Sequence, residues 1–142
     1  MAAALEASGG YRVLRRLQPR PSITSPPGVQ LREGLFVDVE TTGLDPTRDE
    51  IIELAMTRFL YSLDGAILGI GETFHRYREP SVPISAEITA ITGIDAATVA
   101  GQVIYPEEVA AFAASASLVA AHNAAFDRRF LERYTPVFTT KP

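Results

Sequence analysis

The sequence predicts an α/β fold, a mixed sheet built from a three-strand antiparallel meander followed by β-α units. Three observations lead there. Three runs rich in β-formers follow one another from residue 35, and Asp64-Gly65, a strong hairpin signal, joins the second to the third. After the segment REPSVP the apolar period changes from that of a strand to that of a helix. A short apolar run, Leu118 to His122, then leads directly into a helical segment. A meander continued by β-α units closes as a mixed sheet with helices on its faces.

The elements follow in order. Residues 1–33 are expected as a flexible leader and linker. They hold an Ala/Gly start, a basic stretch (Arg12, Arg15, Arg16, Arg20) and the Pro- and Ser-rich PSITSPPG. Such a leader carries at most a short helix; the other reading is an arm that touches nucleic acid or a partner. The folded part, residues 34–142, begins at Gly34. Strand one runs from Leu35 to Glu40, with Leu35, Val37 and Val39 on one face and Phe36, Asp38 and Glu40 on the other. The polar loop TTGLDPTRDE leads to strand two, Ile51 to Tyr61, and strand three runs from Ala66 to His75.

Ser85 is placed to cap a short helix through Ile91, with Glu87 in its first turn, and Asp95 to cap a further brief turn. Pro106 suits the first position of a longer helix, to Ala116, with Glu107 and Glu108 at the positive end of its dipole. Asn123 is expected to cap a helix through Tyr134, which Thr135-Pro136 ends, and VFTT reads as the start of another strand. Strand one and the strand at 118–122 are expected to be parallel neighbours. Chemistry in such sheets sits beyond the carboxyl ends of the strands, where Asp38, Glu40 and Asp127 all lie.

Composition narrows the function classes. The 142 residues suffice for one domain with a core, and 46% of them are hydrophobic. The absence of cysteine excludes a disulfide scaffold, a thiolate zinc site and a cysteine nucleophile, and is compatible with a cytoplasmic setting. No apolar run reaches the ~18 residues of a membrane span, and no membrane partner is expected. The N-terminus lacks an apolar stretch of signal-peptide length, although the Arg-rich YRVLRRL is amphipathic enough to admit an organellar presequence. A net charge of −4 argues against an extended nonspecific grip on duplex DNA. It does not exclude a nuclease whose bound cations reverse the local sign.

The chemistry-bearing residues begin with Asp38 and Glu40. Residues two apart on a strand share a face, roughly 6–7 Å apart. Two carboxylates so placed repel each other unless a cation lies between them, and hard divalent cations take oxygen ligands. An isolated D-x-E is most simply an acidic strand face in water. Here, however, the acids end an apolar strand and run into Thr41-Thr42-Gly43. Gly43 permits close backbone approach to a ligand, and the hydroxyls and N–H groups of Thr41 and Thr42 are candidates for holding a terminal sugar or phosphate. Asp127 read alone is as easily a first-turn acid stabilising its helix dipole.

The string FVDVETTGLDP resembles the first motif of the DEDD (DnaQ-like) family of 3′–5′ exonucleases, which includes the proofreading subunit of bacterial replicative polymerase. LVAAHNAAFDRRFL, residues 118–131, resembles the second motif. IIELAMTRF and ITAITGID are similar to intervening family segments, so the resemblance covers residues 34–142. It implies a ribonuclease H-like sheet. It also implies two Mg²⁺ or Mn²⁺ ions held by Asp38, Glu40 and Asp127 as catalytic carboxylates: Asp38 bridging, Glu40 on the first ion, Asp127 on the second. The implied reaction releases nucleoside 5′-monophosphates from a single-stranded or frayed 3′ end of DNA, or of RNA, with a DNA polymerase as a candidate partner. Asn123 and Phe126 match positions that shape the nucleotide pocket, where an aromatic ring stacks on any base.

His122 matches a pocket position rather than the general base, which the family takes from a later motif. That third motif, with a His (a Tyr in a sister branch) and a fourth Asp, has no counterpart here: no His follows His122 and no Asp follows Asp127. The wording of the first motif leans towards the His branch. The exonuclease domain is therefore expected to be incomplete at its C-terminus, lacking the last strand and helix and exposing an edge and apolar surface. A catalytically inactive remnant that only binds nucleic acid or nucleotide is the alternative reading. His75, at a strand end, reads as a surface residue with no visible partner.

Overall fold

The computed structural model describes residues 1–14, 16 and 27–142. The expected linker at 21–28, save Pro27 and Gly28, and Arg15 and Arg20 lie outside the described residues. The chain begins with a short helix, α1 (Ala2–Ala7), that buries none of its residues.

Four strands form one sheet: β1 (Leu31–Thr41), β2 (Ile51–Ser62), β3 (Ile67–Tyr77) and β4 (Leu118–Ala120). Their order is β3-β2-β1-β4. The first three make an antiparallel meander, and β4 joins β1 in parallel over Gly34 to Phe36. This is the expected mixed sheet. The hairpin between β2 and β3 turns at Gly65, whose φ of 88° is open to glycine at no steric cost. The sheet starts earlier than expected, because Leu31, Arg32 and Glu33 pair with Ser62, Tyr61 and Leu60. A charged Arg-Glu step hid this extension from a reading based on apolar alternation.

The helices fall near their expected places. Ser85 caps α2 (Ala86–Thr92) by accepting the Ile88 amide, and Gly93 closes that helix in the left-handed conformation. Asp95 caps α3 (Ala96–Val99), and Pro106 opens α4 (Pro106–Ala113). Helix α5 (Ala124–Tyr134) follows β4. Two expectations need correction. Asn123 stands at the N-cap of α5, but its side chain makes no capping bond; the helix start rests on its backbone carbonyl, which accepts from Phe126 and Asp127. The segment after Pro136 is a 3₁₀ turn (Pro136–Phe138), not a strand. Proline presets its first φ, and Phe138 is only 4% exposed, anchored in the core rather than paired along an edge. Lys141 then donates to the carbonyls of Ala114 and Ala116, and the Pro142 carbonyl accepts the Val119 amide of β4.

The two faces of the sheet differ. Leu35, Val37 and Val39 join Leu54, Met56, Val109, Phe130, Leu131 and Phe138 in the main core. A smaller core gathers Ile52, Ile94 and Val99 against Tyr77, Ile84 and Ile88. On the opposite face Phe36 is 40%, Ile67 46% and Ile70 49% exposed. Phe36 is stacked on Phe59 there, with ring centroids 4.3 Å apart.

Gly34 makes that stack possible: a Cβ at this position would stand 2.7 Å from ring carbons of Phe59. Gly34→Ala should therefore lower stability by about 1–3 kcal/mol, the cost of forcing a packed ring aside. Urea denaturation would show the loss, and adding Phe59→Leu should recover part of it.

Candidate active site

The site begins where the β1–β4 ladder ends. Strand β4 stops opposite Phe36, so the next residues of β1 run past its end. There the amide of Val39 donates to Asp127 Oδ1 at 3.2 Å, and the carboxylate stands in for a missing strand partner. Asp127 is 4% exposed although it belongs to the polar first turn of α5. Since Val39 separates Asp38 from Glu40, this single bond brings the three acids into one neighbourhood.

Their electrostatics follow from that crowding. Burial pushes the Glu40 carboxyl above the usual carboxylate range, and the charges of Asp38, Glu53 and Asp127 push it further. Asp127 is raised chiefly by burial and also by Asp38, against the opposing pull of the Val39 amide. Among the described residues no hydrogen bond or ion pair reaches the carboxylates of Asp38 or Glu40. An all-oxygen, mutually repelling donor set of this kind fits a hard divalent cation in charge and chemistry. Among the described residues, however, no three His, Cys, Asp or Glu side chains are gathered closely enough to enclose an ion. The acids are neighbours rather than a closed cage.

The loop after β1 is self-bonded. A bulge between Glu40 and Thr41 turns the chain out of the ladder. The Thr41 hydroxyl donates to the Gly43 carbonyl at 2.6 Å, and Thr41 is buried. The Thr42 hydroxyl donates to Asp49 at 3.3 Å and accepts the Glu50 amide at 3.0 Å. Both hydroxyls expected to hold substrate are thus engaged in shaping the loop. The space that glycine leaves at position 43 is filled from within, because the Asp49 carboxyl carbon would lie 2.6 Å from a Cβ there. Asp45 accepts from Thr47 and Arg48, and these bonds hold its carboxyl down at about 2. Arg133 of α5 donates to the Pro46 carbonyl, which ties the loop to the helix that carries Asp127.

His122 and Asn123 are exposed in the turn between β4 and α5, within electrostatic reach of Asp127. Phe126 is half-buried with its ring 5.0 Å from Phe130, so it forms a wall of the core more than an open stacking surface. A largely apolar hollow lined by Val37, Val119, Ala121, Ala124 and Leu131 reaches Asp127.

Glu53 was not among the expected residues. It stands directly opposite Glu40 on β2, a register that no local pattern in the sequence reveals. His75 was expected to stand alone, yet its Nε2 lies 2.5 Å from Glu53 Oε1.

Comparison with known proteins shows the family and the fold. The sequence matches a family model described as exonuclease over residues 35–142. The chain belongs to the exonuclease family. A PolC-type DNA polymerase III from Caldanaerobacter subterraneus is 38% identical over 104 residues, 70% of this exonuclease chain but 7% of that protein. A DNA polymerase III subunit epsilon-like protein from Rhodobacter capsulatus is 40% identical over 99 residues, covering 68% and 14% respectively. This chain thus spans a small part of the curated relatives it matches. Among solved structures, E. coli Exonuclease I in complex with an oligonucleotide superposes with a TM-score of 0.57 at 22% identity, over 72% of this chain and 23% of that one. Exonuclease X in complex with 5′ overhanging duplex DNA gives a TM-score of 0.52 at 33% identity, over 68% and 52%. The fold of this exonuclease chain is the ribonuclease H-like mixed sheet.

Burial of a charged Asp127 is a cost of the metal-free fold. Its folded-state pKa lies above the ordinary aspartate value of 3.8, so the penalty is present at pH above the folded value. It shrinks as pH falls through the folded value and is gone below the ordinary one. Asp127→Asn keeps an acceptor for the Val39 amide and removes the charge. It should raise the melting temperature of the metal-free chain at pH 7, with the gain fading in acid, as calorimetry across pH would show.

Proposed function

We propose that this chain is a metal-dependent 3′–5′ exonuclease module that hydrolyses phosphodiester bonds at the 3′ end of DNA. The observation that carries this is the Val39 amide held by buried Asp127, with the carboxylates of Asp38 and Glu40 on either side, unpartnered among the described residues. Asp38 and Glu40 present oxygens from the end of β1, and Asp127 presents its carboxylate from α5. These carboxylates would hold divalent ions, whose positive charge would serve to bind the scissile phosphate and to activate a water.

The remaining residues orient the substrate. The N-terminal turn of α5 favours an anionic phosphate, and exposed His122 and Asn123 sit in the turn that precedes it. Phe126 borders the position of the terminal base. A frayed or single-stranded end fits best, because a paired end must first be opened. Relatives named as DNA polymerase III proteins support a polymerase as the partner and a cytoplasmic setting.

The test uses a 5′-labelled single strand with Mg²⁺ or Mn²⁺. Shortening from the 3′ end, abolished by Asp38→Ala and by EDTA, is the expected outcome. Activity that survives either change would rule the assignment out. Parallel digestion of RNA of the same sequence decides the polymer.

A second reading is favoured by the acids not closing around one point. In it the chain binds nucleotide or single strand without turnover. Binding of the labelled strand with no shortening at any cation concentration would select it.

A further inference from the structure

Glu40 and Glu53 face each other across β1 and β2. Side chains directly opposite on antiparallel strands have Cβ atoms about 4.5–5.5 Å apart, and like charges there destabilise the sheet. A free Glu53 would swing away from Glu40, but this one is held. His75, diagonal to it on β3, approaches Oε1 at 2.5 Å. The Tyr77 hydroxyl, on the residue paired with Glu53, sits against the same carboxylate. The His75 ring in turn packs edge-on to Tyr77, with centroids 5.0 Å apart. Ala55, between Asp38 and His75 in the adjacent row, is small enough to leave His75 room to lean towards Glu53.

The result is a row running Glu40, Glu53, Tyr77 across three strands, with one acid braced and the other bare. Bracing makes the repulsion permanent in the metal-free chain. A cation on the Glu40 side relieves it.

We propose that Glu53, braced by His75 and Tyr77, is a positioning residue that fixes negative charge opposite Glu40 and so tightens the hold of the site on a divalent cation. This rests on the reading of Asp38, Glu40 and Asp127 as the cation ligands. A plain surface ion pair is the competing account; it contributes about 0–1 kcal/mol to stability and leaves cation affinity alone.

Mn²⁺ binding to the full chain, followed by electron paramagnetic resonance of the free ion, separates the two, with thermal melting measured beside it. Loss of an outer partner of a metal ligand typically costs about 10–100-fold in affinity. Glu53→Gln should weaken Mn²⁺ binding by about tenfold or more, and raise the cation concentration for half-maximal hydrolysis by the same factor. Glu53→Asp should recover part of the loss. His75→Gln and Tyr77→Phe, which keep the acid but loosen it, should weaken binding in the same direction by less. Parental affinity in Glu53→Gln overturns the proposal, whatever happens to the melting temperature. If that variant does not fold, parental affinity in both His75→Gln and Tyr77→Phe overturns it instead. A parent chain that binds no Mn²⁺, or binds it equally after Asp38→Ala, overturns the exonuclease reading and this inference together.

Discussion

The arrangement depends on one hydrogen bond, from the Val39 amide to the Asp127 carboxylate. A strand amide left unpaired at the end of a parallel ladder is costly in a buried setting, and a backbone partner would have closed the site. A carboxylate arriving from a helix satisfies the amide and brings negative charge to the end of β1. The bond crosses 88 residues of sequence, so its closure requires the whole meander and three helices to be in place. It also explains why Asp127 is tolerated in the interior, since a buried charge needs strong donors.

Around that bond the chain uses its polar residues to stiffen the site. The loop from Thr41 to Glu50 closes on itself through Thr42, Asp45 and Asp49, and Arg133 clips it to α5. Arg78 pairs with Glu50 at 2.7 Å, which joins the loop's end to the exit of β3. Such internal bonding costs conformational entropy once, on folding, rather than again on substrate binding. Among the described residues at this end of the sheet, the carboxylates of Asp38 and Glu40 stay outside this bonding.

The sheet's two faces have different tasks. One buries Leu35, Val37 and Val39 under α4, α5 and the 3₁₀ turn and supplies the rigidity. The other carries the Phe36–Phe59 stack at one end and the acids, Glu53, His75 and Tyr77 at the other. A period of two along β1 sets both assignments at once, because a slip of one residue would exchange core and site.

Much of this was legible in the sequence. Alternation from Leu35 to Glu40 determined which side chains enter the core, Asp64-Gly65 determined the hairpin, and Ser85, Asp95 and Pro106 determined helix starts, because each acts through neighbours within a few residues. The run from Phe36 to Pro46 likewise pointed to Asp38 and Glu40. What only the tertiary structure decided were matters of register and competition. Thr41 and Thr42 bond within their loop because Asp49 and Glu50 return beside them. Phe138 enters the core because a buried ring outweighs an edge pairing for VFTT. Glu53 faces Glu40 and captures His75 because three strands align at one register. Local propensity carries no information about which residues meet across strands, and that is where this protein's charges are arranged.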